Sequence, residues 1–217
     1  ASDIAFGETF VGSAAQHSVT LINTGGMEAD YVVELESDDD SYTVEPEAGT
    51  VPAGGTQELV FTLLNEKAGE YEGIGTLTYD TGSGEDALVF SMLGTVKDYP
   101  DYSPIVKEGD FSFKTNMEYP FELSALDDGT VVAQSGTHGN SGTSQLDVCF
   151  TVPEGKLATF AWKGASSSSL WYIAVGGYFV DDLSTAAATF QGSDDDISNS
   201  LELAAGDHAM KMYRWSR

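Results

Sequence analysis

The sequence predicts an all-β protein built from two sandwich domains. Short apolar runs recur along the 217 residues, and Gly, Pro, Asp and Ser separate them, as in strands joined by turns. No long stretch has helical periodicity. Residues 98–109 contain two prolines and no periodic pattern, so we predict a linker there. The predicted domains are residues 1–97, an immunoglobulin-like β-sandwich, and residues 110–217, a jelly-roll β-sandwich.

Seven short strands are predicted before the linker. Their turns are chemically explicit: residues 23–26 (NTGG) and 51–55 (VPAGG) supply glycines that tolerate positive φ. Residues 57–63 alternate in polarity and place Leu59, Phe61 and Leu63 on one face. Seven strands at about ten-residue spacing favour the immunoglobulin-like sandwich. The predicted strands are 3–6, 18–23, 30–36, 42–45, 57–63, 73–79 and 87–93.

The first domain also carries family motifs. The segments IAFGETFVGSAAQHSVTLINTG, YTVEPEAGTVPAGGTQELVFTL, AGEYEGIGTLTY and VFSMLGTV follow one another over residues 3–97. This succession resembles the ASPM/SPD-2/Hydin-type domains, relatives of the major-sperm-protein fold. The resemblance implies a spacer module of the kind found in multidomain surface or secreted bacterial proteins.

Nine strands are predicted after the linker, and without helices they favour a jelly roll. Residues 158–163 and 170–175 flank a Ser-rich turn, so we predict that they form a hairpin at the centre of the domain. The short turn at residues 153–155 predicts that strand 145–152 pairs with strand 158–163. The predicted strands are 110–115, 129–135, 145–152, 158–163, 170–175, 178–182, 186–191, 198–203 and 208–215.

A second resemblance covers about the last third of the chain. The segments TSQLDVCFTVPEGKLATFAWKGASSS, WYIAVGG and LELAAGDHAMKMYRW are similar to the cleaved-adhesin or choice-of-anchor jelly rolls of bacterial surface proteins, which are like MAM domains. The resemblance implies adhesion. The matching positions are Ser144, Leu146, Gly155, Leu157, Phe160, Trp162, Lys163, Gly206, His208, Met210 and Met212.

The chain is strongly acidic, with 35 carboxylates, 9 Lys and Arg residues and a formal net charge of −26. This charge disfavours nucleic acids and anionic membranes as partners, because exposed carboxylates repel phosphate. The high negative charge has three alternative explanations: solubility outside the cell, calcium binding and salt adaptation. No apolar run is long enough for a membrane span. The single cysteine, Cys149, excludes an intramolecular disulfide and is read as a small strand residue.

Acidic clusters in the second domain predict a calcium site. Carboxylates and loop carbonyls are the oxygen ligands that calcium needs, and we expect two acidic loops to meet there. The alternative is that all of these carboxylates are solvated turn residues. The candidate ligands are Asp181, Asp182, Asp194, Asp195 and Asp196.

Aromatic residues in the same domain predict a ligand-binding face. Exposed flat rings beside hydrogen-bonding groups suit a sugar, whereas the alternative is that the rings belong to the core. Tyr213 and Trp215 alternate with Met210 and Met212, so rings face outward if the methionines face inward. The candidate residues are Trp171, Tyr172, Tyr178, Tyr213 and Trp215.

No catalytic motif is recognised in the sequence, so we predict a protein that is not an enzyme. The chain begins at Ala1 and is read as a segment of a longer chain. We expect a secreted or cell-surface bacterial location, with a spacer followed by a module that binds a glycan or a host or matrix protein. The alternatives are a purely structural stalk and accessory domains of a larger extracellular hydrolase.

Overall fold

The computed structural model describes residues 3–37, 39–80, 82, 84–136, 142–164, 174–181, 188–191 and 197–216. This part of the chain consists of strands, turns and one short 3-10 helix, with no α-helix. The all-β prediction is therefore confirmed. Two compact units divide the chain, Ala1–Asp98 and Tyr99–Arg217.

Eight strands form the first unit, in two sheets. The five-stranded sheet has the order β1-β8-β7-β3-β5, with β1 parallel to β8, and the three-stranded sheet has the order β2-β6-β4. The strands are β1 (Ile4–Phe10), β2 (Ala15–Ile22), β3 (Ala29–Ser37), β4 (Tyr42–Glu45), β5 (Ala48–Val51), β6 (Thr56–Leu63), β7 (Gly69–Asp80) and β8 (Glu85–Lys97).

The two sheets bury a common core, as the alternation of β6 predicts. Leu59, Phe61 and Leu63 are all buried, and the ring of Phe61 meets that of Phe90 from β8 edge to face, with centroids 5.6 Å apart. Gly75 of β7 makes room for Phe90, since a Cβ there would lie 2.1 Å from the Cζ atom of that ring. The first unit is thus a sandwich of apolar inner faces.

The strand β5 was not predicted. Its residues are exposed except for Val51, so it lacks the alternating pattern of a half-buried strand. It is a short edge strand, paired with β3 through Ala29 and Val51 at one end. Strand β1 also extends beyond the predicted end at residue 6, because it pairs with β8 as far as Phe10.

Nine strands form the part of the second unit that the structure describes. A five-stranded sheet has the order β15-β14-β17-β12-β9, and the pairs β13-β16 and β10-β11 form two further sheets. The strands are β9 (Phe111–Thr115), β10 (Glu122–Ala125), β11 (Val131–Gln134), β12 (Gly142–Val152), β13 (Ala158–Gly164), β14 (Ala174–Val180), β15 (Ala188–Gln191), β16 (Ile197–Leu203) and β17 (Gly206–Ser216).

The strand β12 is the centre of the second core. Its alternate residues Leu146, Val148, Phe150 and Val152 are buried, together with Met210 of β17. Ala158 of β13 and Leu203 of β16, which pair with each other, pack against the same cluster. A sandwich core is therefore present. The jelly-roll class of this unit stays a prediction.

The predicted hairpin of residues 158–163 and 170–175 is wrong. Strand β13 pairs with β16, whereas β14 lies in the five-stranded sheet between β15 and β17. Neighbouring apolar runs pass to different sheets because each must cover one side of the core. Residues 170–173 of the predicted second strand lie outside the described residues.

A further pairing prediction is wrong. Strand β12 does not pair with β13, because β9 and β17 occupy its two edges; the Pro153 turn instead leads the chain away from this sheet. The separate strands predicted at 170–175 and 178–182 are joined in the single strand β14 (Ala174–Val180), in which Gly176 and Gly177 pair with Arg214 and Tyr213.

Residues 99–109 of the predicted linker belong to the second unit. Residues Ser103–Ile105 form the 3-10 helix, where no regular structure was expected. Tyr102 is only 2% exposed, lies in the core cluster with Phe121, and donates a hydrogen bond of 2.6 Å from its hydroxyl to the Phe121 carbonyl. The two-domain division with a linker at residues 98–109 otherwise stays a prediction.

Candidate functional site

An open groove of about 500 Å³ lies in the second unit, where β9, β12 and β17 run side by side. Because the side chains of a strand alternate between faces, the exposed Ser112, Cys149, Thr151 and Asp207 share the outer face of the sheet, whereas Phe111, Phe150 and His208 share the face that packs on the core. The lining residues are Asp110, Phe111, Ser112, Cys149, Phe150, Thr151, Asp207 and His208.

Stacked rings lie beneath the groove, on the core side of the sheet. Phe111, Phe150 and His208 occupy paired positions on three neighbouring strands. The ring centroids of Phe111 and Phe150 are 5.0 Å apart with an interplanar angle of 25°, and those of Phe150 and His208 are 5.5 Å apart at 31°. Phe113 continues the row, 6.1 Å from Phe111. Such offset stacks hold the rings in fixed positions.

Polar groups form the rim. The Thr151 hydroxyl donates a hydrogen bond of 2.7 Å to the Asp207 carboxylate, and the Ser112 hydroxyl donates a bond of 3.4 Å to the Cys149 carbonyl. Asp110 and Asp207 are exposed. The rim thus offers carboxylate acceptors and hydroxyl groups on the outer face of the sheet. Cys149 is exposed there as a free thiol.

His208 is fixed through both of its ring nitrogens. Nδ1 lies 3.0 Å from Oδ2 of Asp181, and Nε2 lies 2.9 Å from the Ala204 carbonyl oxygen. Both partners are acceptors, so only the imidazolium can donate to both. The Ala204 carbonyl, followed by the Asp181 carboxylate, raises the pKa of His208. The imidazolium has no free lone pair, which leaves it unsuited to act as a general base.

Asp181 is held equally firmly, just after β14 ends. Its backbone has φ of 56°, its amide donates to the Ala209 carbonyl (2.8 Å), and its Oδ1 accepts from the Ala209 amide (3.1 Å). Hydrogen bonds from His208 and then from Ala209 lower the pKa of Asp181. Both carboxylate oxygens therefore already have protein partners.

The predicted calcium ligands are placed only in part. Asp181 binds His208, as described above, while Asp182, Asp194, Asp195 and Asp196 lie outside the described residues. Within the residues that the structure describes, no group of three or more His, Cys, Asp or Glu side chains is arranged to hold a metal ion. The calcium site stays a prediction.

The predicted aromatic face is also placed in part. Met210 is buried and Met212 packs against the core, while Tyr213, of opposite parity in β17, is half-buried. Tyr178 and Trp215 lie in β14 and β17, paired with Met212 and Thr143 respectively, but the structure does not describe their side chains. Trp171 and Tyr172 lie outside the described residues.

Sequence reasoning missed most of the groove. The alternation of Phe111 and Phe113 marks a strand face, but nothing in the sequence states that this face continues to Phe150 and His208. His208 itself was identified only as part of a motif. The missing information is the pairing of three strands that lie far apart in the chain.

Comparison with known proteins bears on the first unit. Residues 2–90 match the family model of the HYDIN/CFA65/VesB-like Ig-like domain. The first unit is an immunoglobulin-like domain. This confirms the immunoglobulin-like fold predicted for the first unit. The resemblance to Hydin-type domains is confirmed for the fold. A search of curated proteins gave no match.

Solved structures give distant likenesses. The ASH/PapD-like domain 7 of human CEP192 is 16% identical with a TM-score of 0.42, over 45% of this chain and 82% of that one. SSP-19, an MSP-domain protein of Caenorhabditis elegans, is 12% identical with a TM-score of 0.31, over 44% and 94%. The secreted serine protease VesC of Vibrio cholerae is 13% identical with a TM-score of 0.33, over 96% and 44%. No activity of this chain follows from these likenesses.

In the described part of the chain, no helix has the length and apolarity that crossing a membrane would require. The cleaved-adhesin resemblance of the second unit stays a prediction.

Proposed function

We propose that the protein is a noncatalytic extracellular segment in which the first unit is a spacer and the second unit binds a neutral glycan in the groove. The observation that carries this proposal is the group of exposed carboxylates and hydroxyls that line the groove at Asp110, Ser112, Thr151 and Asp207. Sugars carry hydroxyl groups that need such hydrogen-bond partners.

The charge of the groove selects among glycans. Asp110 and Asp207 are exposed carboxylates on the rim, and Asp181 binds the imidazolium of His208 beside it. An anionic sugar would meet repulsion from these groups, whereas neutral hydroxyls donate hydrogen bonds to them. Sialylated and uronate-containing glycans are therefore excluded in this proposal.

The noncatalytic part of the proposal is supported by His208. Its two nitrogens are engaged by Asp181 and by the Ala204 carbonyl, so it cannot activate a nucleophile such as a neighbouring hydroxyl. The extracellular location is supported by the family model that matches the first unit, because that family includes VesB-like domains. Further domains of a longer chain are part of the same proposal.

A glycan array that carries neutral and sialylated glycans tests this function. We expect the protein to bind a subset of neutral glycans, and we expect Asp110→Asn to weaken that binding. The matched control is Asp127→Asn, which removes the same charge from an exposed position in the turn before β11. If no glycan binds, the stalk alternative replaces the proposal; if sialylated glycans bind equally, the charge argument is wrong.

A further inference from the structure

The outer face of the five-stranded sheet in the first unit exposes apolar side chains. Val32 of β3 is 48% exposed, Ile74 of β7 is 51% exposed, and Val89 and Leu93 of β8 are 54% and 41% exposed. Outward positions of a sandwich sheet are ordinarily polar, because they face water. We call these four residues the apolar stripe.

The strand register places three members of the apolar stripe side by side and sets Val32 apart from them. Ile74 pairs with Ser91, so Val89 and Leu93 are its two diagonal neighbours on β8. Val89 pairs with Thr76, and Val32 pairs with Thr78 on the other side of β7. Diagonal neighbours in a sheet lie about 7–8 Å apart, within reach of long side chains. Val89, Ile74 and Leu93 therefore form one cluster across β7 and β8, and Thr76 and Thr78 separate Val32 of β3 from it.

Carboxylates surround the apolar stripe. Glu34 and Glu36 lie on the same face of β3 as Val32, and Glu72 lies on the same face of β7 as Ile74. All three glutamates are exposed. Lys97 is the only cation that the described part of β1, β3, β5, β7 and β8 contains, and its Nζ atom lies 2.6 Å from the carboxylate of Glu8. Residues 1–98 carry 19 carboxylates and only two lysines.

We propose that the apolar stripe is a docking surface for a protein partner whose apolar side chains are surrounded by Lys and Arg. The exposed apolar centre provides the burial that stabilises an interface, and the carboxylate rim selects a basic partner. A second copy of this chain fits poorly, because the two carboxylate rims would then face each other. This surface lies in the first unit, so the proposal is independent of the glycan groove.

Fluorescence anisotropy with labelled peptides tests the surface on the whole chain. The probe is a synthetic amphipathic helical peptide of Leu and Lys. One comparison peptide has Glu in place of Lys, and the other has Ser in place of Leu. We expect saturable binding of the Leu/Lys peptide alone, with an affinity that falls as ionic strength rises.

The variant Ile74→Thr/Val89→Thr keeps β-branched residues in the strands and removes apolar contact. We expect it to weaken binding of the Leu/Lys peptide by about tenfold or more. The control is Ile22→Thr, which removes an even more exposed apolar side chain from β2, and we expect no change. Circular dichroism checks that each variant is folded.

Four results would overturn the proposal. Equal binding of the Ser/Lys peptide would mean that general charge attraction alone explains the binding. Equal binding of the Leu/Glu peptide would mean that the surface does not select basic partners. Unchanged binding by the double variant would place the peptide elsewhere. A dimer in sedimentation equilibrium that the double variant abolishes would assign the stripe to a second copy instead.

Discussion

The Nδ1 atom of His208 lies 3.0 Å from Oδ2 of Asp181. This contact joins the start of β17 to the end of β14. The His208 side chain is only 12% exposed, whereas the Asp181 side chain is 52% exposed. Water therefore reaches one partner and screens the attraction. The pair closes one end of the sheet that carries the groove, and it makes that end sensitive to pH.

The ion pair predicts a pH dependence of stability. The pKa of His208 is raised from 6.5, so its contribution is complete below that value and is lost as pH rises through the folded-state pKa. The pKa of Asp181 is lowered from 3.8, so its contribution is complete above that value and is lost as pH falls through the folded-state pKa. The pair thus stabilises most in weakly acidic solution.

Urea unfolding of His208→Gln, compared with the parent protein across this pH range, measures the effect. All three tryptophans, Trp162, Trp171 and Trp215, belong to the second unit, so their fluorescence follows that unit alone. We expect a loss of about 0.5–1 kcal/mol near pH 5 that shrinks above neutral pH. A difference that is constant with pH would show that His208 acts only through packing on Phe150.

Gly75→Ala is predicted to destabilise the first unit. The added Cβ would lie 2.1 Å from the Phe90 ring, which is itself confined by Phe61. Overpacking of this kind costs about 1–3 kcal/mol. The control is Gly26→Ala, where nothing lies within 4 Å of the added atom. Circular dichroism should report earlier unfolding while tryptophan fluorescence stays unchanged; equal effects of both variants would contradict the account.

Tyr102→Phe is predicted to destabilise the second unit by about 1–2 kcal/mol, because it removes the hydrogen bond to the buried Phe121 carbonyl. The change should appear in the unfolding curve followed by tryptophan fluorescence. Tyr79→Phe in the first unit should leave that curve unchanged. If Tyr102→Phe also left it unchanged, the assignment of the segment around Tyr102 to the second core would be wrong.

The alternative that the acidic residues are solvated turn residues predicts that calcium leaves the melting midpoint of the second unit unchanged. Both carboxylate oxygens of Asp181 already accept hydrogen bonds, from His208 and from the Ala209 amide, so an ion would compete with these bonds. The measurement is a melting curve in EDTA and another in millimolar calcium. A higher midpoint with calcium, through preferential binding to the folded state, would support the site predicted at Asp181, Asp182 and Asp194–Asp196.

The local patterns of the sequence predicted the strands better than their partners. Alternation at Leu59, Phe61 and Leu63 identified the inner face of β6, and the structure buries all three residues. The pairing of β13 with β16 was missed because alternation states which side of a strand is buried and not which strand lies beside it. Adjacent runs were therefore joined into a hairpin that does not form.

The candidate site was harder to predict for the same reason. Phe111, Phe150 and His208 form one row only because β12 lies between β9 and β17. Each residue alone resembles an ordinary strand residue. The exposed Ile74 and Val89 are likewise unremarkable in the sequence, and only the register of β7 and β8 brings them together.

The most direct test of the groove is an NMR titration of the protein, labelled with ¹⁵N, with the neutral disaccharides lactose, maltose and cellobiose. We predict that at least one of them shifts the amide signals of Ser112, Thr151 and His208 in a saturable manner, and that Asp110→Asn weakens this response while Asp127→Asn does not. Saturable shifts confined to other residues, or no shifts with any of the three sugars, would contradict the assignment of this groove to neutral glycans.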